Sequence, residues 1–367
     1  MEYYIKNFNE KRQNEIYPYY VLGVDIGGTN TNFGIAGINN SKPIILFSLN
    51  FKTKELESIL PAIEKTINYA KKKYDIKIDF TCIGAAGIIS SSNDSAELTN
   101  IEWNLNSNEL TNKTSLKSVY IINDFQTIGY GINLLDSNNK KDLFQVRGRN
   151  DDVISSEATK AVIGAGTGFG KSILIYNKHL DTYLPIKSEG GHGDLPVYDQ
   201  IEMQIVEYIK NLKGISQPIS YEEVLSGGGI ENIYLYFRNK QEIEDTIYTK
   251  EIDKSFEKPS LISKYKELDK TCKETFRIYT RFYARCAKNF VLDTLAEGGL
   301  YIYGGIAAKN KEIFTSKEFT NEFEKSHKRN DILKKIPINI ILNYDLGLYG
   351  ACYAAMHQLY KKQKKII

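Results

Sequence analysis

The chain has 367 residues, 42% hydrophobic and 25% charged, which is long enough for two lobes with sizeable cores and implies neither a disordered nor a fibrous protein. Its 48 basic and 45 acidic residues leave a net charge of +3, which excludes the basic footprint of a nucleic-acid binder and points to a small-molecule partner. No apolar run reaches the roughly 18 residues of a spanning helix, the charged first 20 residues hold no signal-peptide core, and Cys82, Cys272, Cys286 and Cys352 stand singly as reduced thiols, so a cytoplasmic protein with no membrane partner is expected.

After the charged leader, Tyr20 to Ile26 reads as a strand that ends in the turn Gly27-Gly28-Thr29-Asn30 and returns over Phe33 to Ile38. Pro43 to Leu49 is a third extended segment, and Leu56, Leu60, Ile63, Ile67 and Ala70 recur at helical spacing. Asp79 to Ala85 and Ser118 to Ile122 read as short buried strands whose loops emerge on one edge. Leu135 to Thr159, with its Lys140-Lys141 and Asp151-Asp152 pairs, reads as a solvated connection. Lys160 to Ile163, the turn Gly164-Ala165-Gly166-Thr167-Gly168 and Lys171 to Tyr176 then repeat the first hairpin in outline. The repeat predicts an internally duplicated architecture in which two turns offer backbone N–H groups to one ligand across a shared cleft. Helices are expected over Asp199 to Lys213, Tyr221 to Arg238 and about Ser260 to Ala296, with Gln241 to Lys258 a charged surface element. Gly299 to Ile306 is a strand running into Gly304-Gly305, Pro337 to Leu342 is another, and Gly347-Leu348-Tyr349-Gly350-Ala351 opens a last helix.

The first turn carries the strongest local chemistry. Its glycines let a phosphate approach the backbone, Thr29 and Thr31 add hydroxyl donors, and Asp25 at the strand end is placed to hold the water shell of a nucleotide-bound Mg²⁺. A plain Gly-Gly hairpin is the competing reading; a Walker A loop is excluded because the terminal Gly-Lys-Ser/Thr is missing. Gly166, Thr167 and Gly168 form a second turn of the same kind. Asp124, where a buried strand ends, is either the base that accepts a sugar hydroxyl proton or part of a helix cap with Asn123. Glu189 and His192, three residues apart across two glycines, suit vicinal hydroxyls better than a metal, since no other His or Cys stands nearby. Glu222 is a third hydroxyl acceptor or an ordinary solvated helical glutamate.

In this order, VDIGGTN, INDF, GAGTGFG, EGGHGD, EEVLSGGGI, IYGGIA and LGLYGA resemble the bacterial glucokinase family of the hexokinase, actin and Hsp70 superfamily, over roughly residues 20 to 360. The resemblance implies an α/β, two-lobed actin-like ATPase (duplicated ribonuclease H-like) fold. Its small domain would be residues 21–134 plus about 344–367, its large domain 135–343, and residues 1–20 an extension without counterpart. It implies ATP and Mg²⁺ as cofactors and phosphoryl transfer to the 6-hydroxyl of glucose. Asp25 (through water to the metal), Gly27, Gly28, Thr29 and Asn30 would form the first phosphate site, Gly166, Thr167 and Gly168 the second, and Gly304 and Gly305 the adenosine site. The sugar ligands would be Asn100, Asn123, Asp124, Glu189, His192 and Glu222, with Asp124 as the base, and a homodimer is implied. The neighbouring repressor/ORF/kinase family would carry a cysteine-rich zinc motif after its histidine, where this chain has Gly-Asp-Leu-Pro after His192. A kinase for mannose, fructose or an amino sugar is an alternative; a non-catalytic sugar sensor is disfavoured by Asp124 and the two turns.

Overall fold

The computed structural model describes every residue except Met1, Asn9, Asn14, Asn100, Ser137, Asn138, 149–154, Gln241, Glu242 and 365–367. The strands up to the second hairpin are β1 (Tyr4–Asn7), β2 (Tyr20–Ile26), β3 (Asn30–Asn39), β4 (Lys42–Lys52), β5 (Phe80–Ala85), β6 (Gly87–Ile89), β7 (Ser95–Leu98), β8 (Leu105–Asn106), β9 (Ser118–Asn123) and β10 (Leu143–Arg147). They are followed by β11 (Lys160–Ala165), β12 (Phe169–Asn177), β13 (Thr182–Ser188), β14 (Gly299–Tyr303) and β15 (Ile338–Ile341). The helices are α1 (Leu60–Tyr74), α2 (Ser107–Lys113), α3 (Asp124–Ile132), α4 (Gln200–Lys213), α5 (Glu222–Leu225), α6 (Gly227–Lys240) and α7 (Ile247–Lys254). They continue with α8 (Lys258–Tyr265), α9 (Lys270–Thr294), α10 (Gly305–Lys309), α11 (Lys311–Thr315), α12 (Lys317–Glu324), α13 (Asn330–Leu333) and α14 (Leu346–Lys364). The chain divides into two units, one of Met1–Asp136, Asn177–Lys187 and Asn343–Ile367, the other of Ser137–Tyr176 and Ser188–Leu342.

The first unit is built on a sheet of order β1-β4-β3-β2-β5-β9, with β2, β5 and β9 parallel and β3 antiparallel to β2. One face packs Leu22, Val24, Phe33, Phe47 and Leu49 against Ala62 and Ile63 of α1. The other face packs Ile45, Cys82 and Ile122 against Leu348, Cys352 and Met356 of α14. Burying each such Leu or Ile side chain contributes about 1.5–3 kcal/mol, and the near-continuous apolar runs of β5 and β9 follow from being covered on both sides. The leader is part of this unit. Its β1 pairs antiparallel with β4, Lys6 Nζ lies 2.5 Å from Asp345 Oδ2, and Phe8 meets Tyr349 edge-on at 5.8 Å.

In the second unit β11 and β12 form an antiparallel hairpin, while β14 and β15 run parallel beside β11. The order β12-β11-β14-β15 therefore repeats β3-β2-β5-β9 of the first unit, as the duplicated glycine turns predict. Its core gathers Ile163 and Ile302 of the sheet with Ile233 of α6, Phe282 and Tyr283 of α9, and Phe314 of α11. At the heart of α9, fully buried Arg285 pairs with Glu202 of α4 and Glu322 of α12, and donates to Pro196 O.

Several elements differ from the periodicity reading. The helix expected from Leu56 begins at Leu60, because Pro61 suits a first turn and Leu56 instead stays extended with its carbonyl accepting the Trp103 indole N–H at 2.8 Å. The helix expected over Tyr221 to Arg238 breaks at Ser226, whose backbone is extended and whose Oγ accepts the Gly229 N–H at 3.0 Å. The long helix of Ser260 to Ala296 divides into α8 and α9 at Asp269, which caps α9 by accepting the Cys272 N–H. The connection before residue 160 holds β10, with Leu143 buried and paired to Ile341. The charged surface stretch contains α7, which buries Thr249 and Ile252. Among the described residues no helix is long and apolar enough to cross a membrane.

Candidate active site

In the first unit β2 delivers Asp25 to the edge where the first glycine turn begins. The turn closes by the Gly27 N–H donating to Asn30 O at 3.0 Å, and it is braced from beneath by Thr53, whose hydroxyl donates to Gly27 O at 2.6 Å. Gly28 and Thr29 are exposed, which leaves this part of the turn open to a ligand. The expected donor Thr31 serves the scaffold instead, and the Asn30 side-chain oxygen is tied to it. The Thr31 hydroxyl is buried and shares a 3.0 Å hydrogen bond with Thr53, and Asn30 Oδ1 accepts from Lys52 Nζ. Thr31 is therefore not a phosphate donor, since its hydroxyl faces the core side of the strand.

Burial, with the negative charges of Asp124 and Asp345 nearby, pushes the Asp25 carboxyl up to about 7, although a hydrogen bond with Asn32 pulls the other way. Asp124 begins α3, straight after the parallel strand β9. Asn123 is the N-cap of that helix: its Oδ1 accepts the Phe125 N–H at 2.9 Å, and Gln126 Oε1 accepts the Asn123 N–H at 3.3 Å to complete a capping box. Asp124 Oδ1 also accepts the Phe125 N–H at 2.9 Å, so its carboxylate lies at the positive end of the helix. The cap is thus made by Asn123, and Asp124 stands in the first turn of the helix. Three carboxylates converge where strand ends of an open parallel sheet bind ligands, and no group of three His, Cys, Asp or Glu among the described residues has the geometry to ligate a metal directly.

In the second unit the turn 166–168 closes by the Gly166 N–H donating to Gly168 O at 2.8 Å. Gly166 O accepts the Gly227 N–H at 2.9 Å, and Glu222 Oε2 accepts the Phe169 N–H at 2.7 Å, so the α5–α6 segment holds both ends of the turn. Gly304, at φ 111°, is where β14 meets α10. A Cβ there would stand 2.3 Å from Ala165 O, so the Gly304-Gly305 step lies directly against the strand that leads into the turn. Glu189 and His192 flank a short 3-10 turn with Glu189 Oε2 4.0 Å from His192 Nε2 and both side chains exposed. The next residues pair with the strand-like segment before α5: Leu195 N–H donates to Ile219 O and Tyr221 N–H to Gly193 O. Glu189, His192, Glu222 and the second turn are thereby brought together within one unit. Asn100 lies outside the described residues.

The sequence profile of the glucokinase family matches residues 22–358. The chain belongs to the glucokinase family. The chain is 31% identical over 349 residues to the glucokinase of Trichormus variabilis, covering 91% of this chain and 98% of that protein. The fold matches the Balamuthia mandrillaris glucokinase in complex with glucose, with a TM-score of 0.77, 21% identity, and 92% of this chain and 93% of that one covered. It also matches a ROK family glucokinase from Streptomyces griseus in complex with glucose and AMPPNP, with a TM-score of 0.61, 18% identity, and 92% and 99% covered. The architecture is the actin-like ATPase fold, and the enzyme is a hexose kinase of the glucokinase family.

Within this glucokinase-family fold, four contributors escaped the motif reading. Thr53 braces the first turn from a segment that carries no pattern of its own. Gly347 of α14 faces Asp25, and the LGLYGA glycines were the available signal. The Phe169 backbone links the second turn to Glu222 on one side and abuts Gly191 on the other, where a Cβ would stand 1.9 Å from Phe169 O. Lys171 is buried beneath the Glu189–His192 turn with its ammonium 4.1 Å from the Tyr221 ring centroid, invisible to any spacing rule.

Proposed function

We propose that this enzyme transfers the γ-phosphoryl group of ATP to the 6-hydroxyl of glucose, with Asp124 as the base. The sugar O6 forms a bond to the γ-phosphorus as the bond to the β,γ-bridging oxygen breaks; ADP leaves, and the hydroxyl proton passes to the Asp124 carboxylate. Phosphoryl transfer asks the protein mainly for position and charge stabilisation, which suits backbone N–H turns better than covalent machinery. The observation that carries the reading is the juxtaposition of Asp124, at the start of α3, with Asp25 beside the first glycine turn.

In the first unit, Gly27, Gly28, Thr29 and Asn30 are assigned to phosphate and Asn123 to the sugar; Asn30 Oδ1 accepts from Lys52, so any side-chain contact to phosphate comes from its Nδ2 amide. In the second, Gly166, Thr167 and Gly168 are assigned to phosphate, Gly304 and Gly305 to adenosine, and Glu189, His192 and Glu222 to sugar hydroxyls. Asn100 is assigned to the sugar on its motif alone. Asp25 fits a hydrated Mg²⁺, because a carboxylate crowded by Asp124 and Asp345 gains from a nearby cation, and the metal would screen charge on the transferred group. The enzyme is assigned to the cytoplasm as a homodimer, a state that analytical ultracentrifugation reads directly.

Replacing Asp124→Asn tests the assignment. Turnover should fall by about 10² to 10⁴ while glucose binding persists in calorimetry. Retained turnover removes Asp124 as the base, and a panel of hexoses in which mannose or fructose outruns glucose in kcat/KM replaces glucose as the substrate.

A further inference from the structure

Glu222 holds two positions at once. Its Oε2 accepts the Phe169 N–H at 2.7 Å, within the range of a charge-assisted hydrogen bond, and Phe169 is the first residue after the turn 166–168. Gly168 makes room for it, since a Cβ there would lie 2.5 Å from the same oxygen. The other oxygen, Oε1, takes no hydrogen bond from the described residues and belongs to a side chain that is only partly buried. The opposite end of the turn is fixed by the Gly227 N–H to Gly166 O, five residues beyond α5's start and at the first residue of α6. Ser226 ties that segment together by donating to Glu222 O at 2.8 Å and accepting from Gly229 N–H.

We infer that Glu222 is shared between the sugar and the second phosphate turn, so that it is a positioning residue for the nucleotide as well as a ligand of the hexose. The inference rests on the assignment of glucose and ATP made above. A sugar hydroxyl donating to Oε1 confines the side chain to the rotamer in which Oε2 grips Phe169. That orders the N–H groups of the turn before the nucleotide arrives, and the ordering lost without sugar appears as weaker nucleotide binding. Such coupling is reciprocal, so the factor by which glucose tightens the nucleotide equals the factor by which the nucleotide tightens glucose.

Calorimetric titration of the full-length protein with AMPPNP, with and without saturating glucose, tests this in wild type, Glu222→Ala and Glu222→Gln. In wild type, glucose should tighten AMPPNP. Glu222→Ala should weaken AMPPNP about tenfold even with no sugar present, the loss of one hydrogen bond to a charged group, and should erase the glucose dependence. Glu222→Gln keeps an oxygen acceptor for Phe169 and should hold the sugar-free AMPPNP affinity near wild type while the glucose KM rises. Sugar-free AMPPNP affinity unchanged in a folded Glu222→Ala, or lost equally in Glu222→Gln, overturns the shared role, as does a wild type whose AMPPNP affinity ignores glucose. A wild type that binds AMPPNP but no hexose overturns the sugar assignment instead, and the sugar-free comparison then still decides whether Glu222 holds the turn.

Discussion

Gly347 stands against Asp25: a Cβ on Gly347 would lie 2.8 Å from Asp25 Oδ2. The first turn of α14 thus forms one wall of the carboxylate centre, and only a residue without a side chain leaves Asp25 where it is. Gly347→Ala should displace the carboxylate by a fraction of an ångström or more, and misplacements near 1 Å cost about 10² in rate. Steady-state kinetics should show kcat/KM for ATP falling by about that factor while glucose binding is kept. Unchanged kinetics would mean that Asp25 tolerates the shift and is not held to position by this helix.

Because burial and two neighbouring carboxylates raise the Asp25 carboxyl to about 7, the folded protein binds its proton more tightly than the unfolded chain does. The associated stability is fully present below the ordinary carboxylate range near 4 and is lost as pH rises through about 7. Thermal melting of the ligand-free protein should therefore show Tm declining across that interval, and Asp25→Asn should flatten the decline. An equal decline in Asp25→Asn assigns the pH dependence to other groups.

Gly191 packs so closely on β12 that a Cβ would sit 1.9 Å from Phe169 O. Gly191→Ala must lift the Glu189–His192 turn off the strand, at a cost of about 1–3 kcal/mol in stability. Denaturant unfolding should register that loss, and the glucose KM should rise with it. A variant as stable and as active as wild type would show that the turn has room the structure does not offer.

Arg285 and Glu202 are both fully buried, bonded through two guanidinium nitrogens at 2.8 and 3.0 Å, and Glu202 Oε2 also accepts the Tyr198 N–H. Removing Arg285 leaves buried Glu202 with Arg281 alone, 2.6 Å away, and Glu322 with Lys288 at 4.0 Å, so Arg285→Met should destabilise by about 3 kcal/mol, the low end for breaking a buried pair. Arg285→Met combined with Glu202→Met should recover part of that loss, because the Arg285–Glu202 contact is then apolar on both sides, while Glu322 and the Tyr198 N–H still lack their partners. Urea unfolding of the single and double variants measures the difference; additive losses would contradict it.

All four cysteines are buried, and burial pushes the Cys286 thiol up to about 12 despite the nearby Lys171, and the Cys352 thiol likewise to about 12. Native protein should react with a thiol reagent only as fast as it unfolds, with all four sites appearing in denaturant. Rapid labelling of any one in the native state would place that cysteine in an open segment.

Much of this protein can be read along the chain because its chemistry is local. A glycine turn between two period-2 apolar runs makes a hairpin wherever it occurs, so both hairpins, the parallel strands after them and the last helix lie where the residues indicate, down to β2 at Tyr20–Ile26. Asn123 as a cap and Asp124 as the residue behind it are likewise properties of three neighbouring positions.

Contacts between residues distant in sequence obey no such rule. The periodicity of Tyr221 to Arg238 says helix throughout, yet Ser226 breaks it, and that break sets Glu222 beside Phe169, 53 residues away. The leader's fate rested on an open edge at β4, and the proton affinity of Asp25 on two carboxylates contributed from β9 and α14 ends. The sequence by itself determined which turns can cradle phosphate and in what order they come, since backbone freedom at glycine is intrinsic. Only the tertiary structure decided what each carboxylate holds, because desolvation and hydrogen-bond partners are supplied by whatever the fold packs around it.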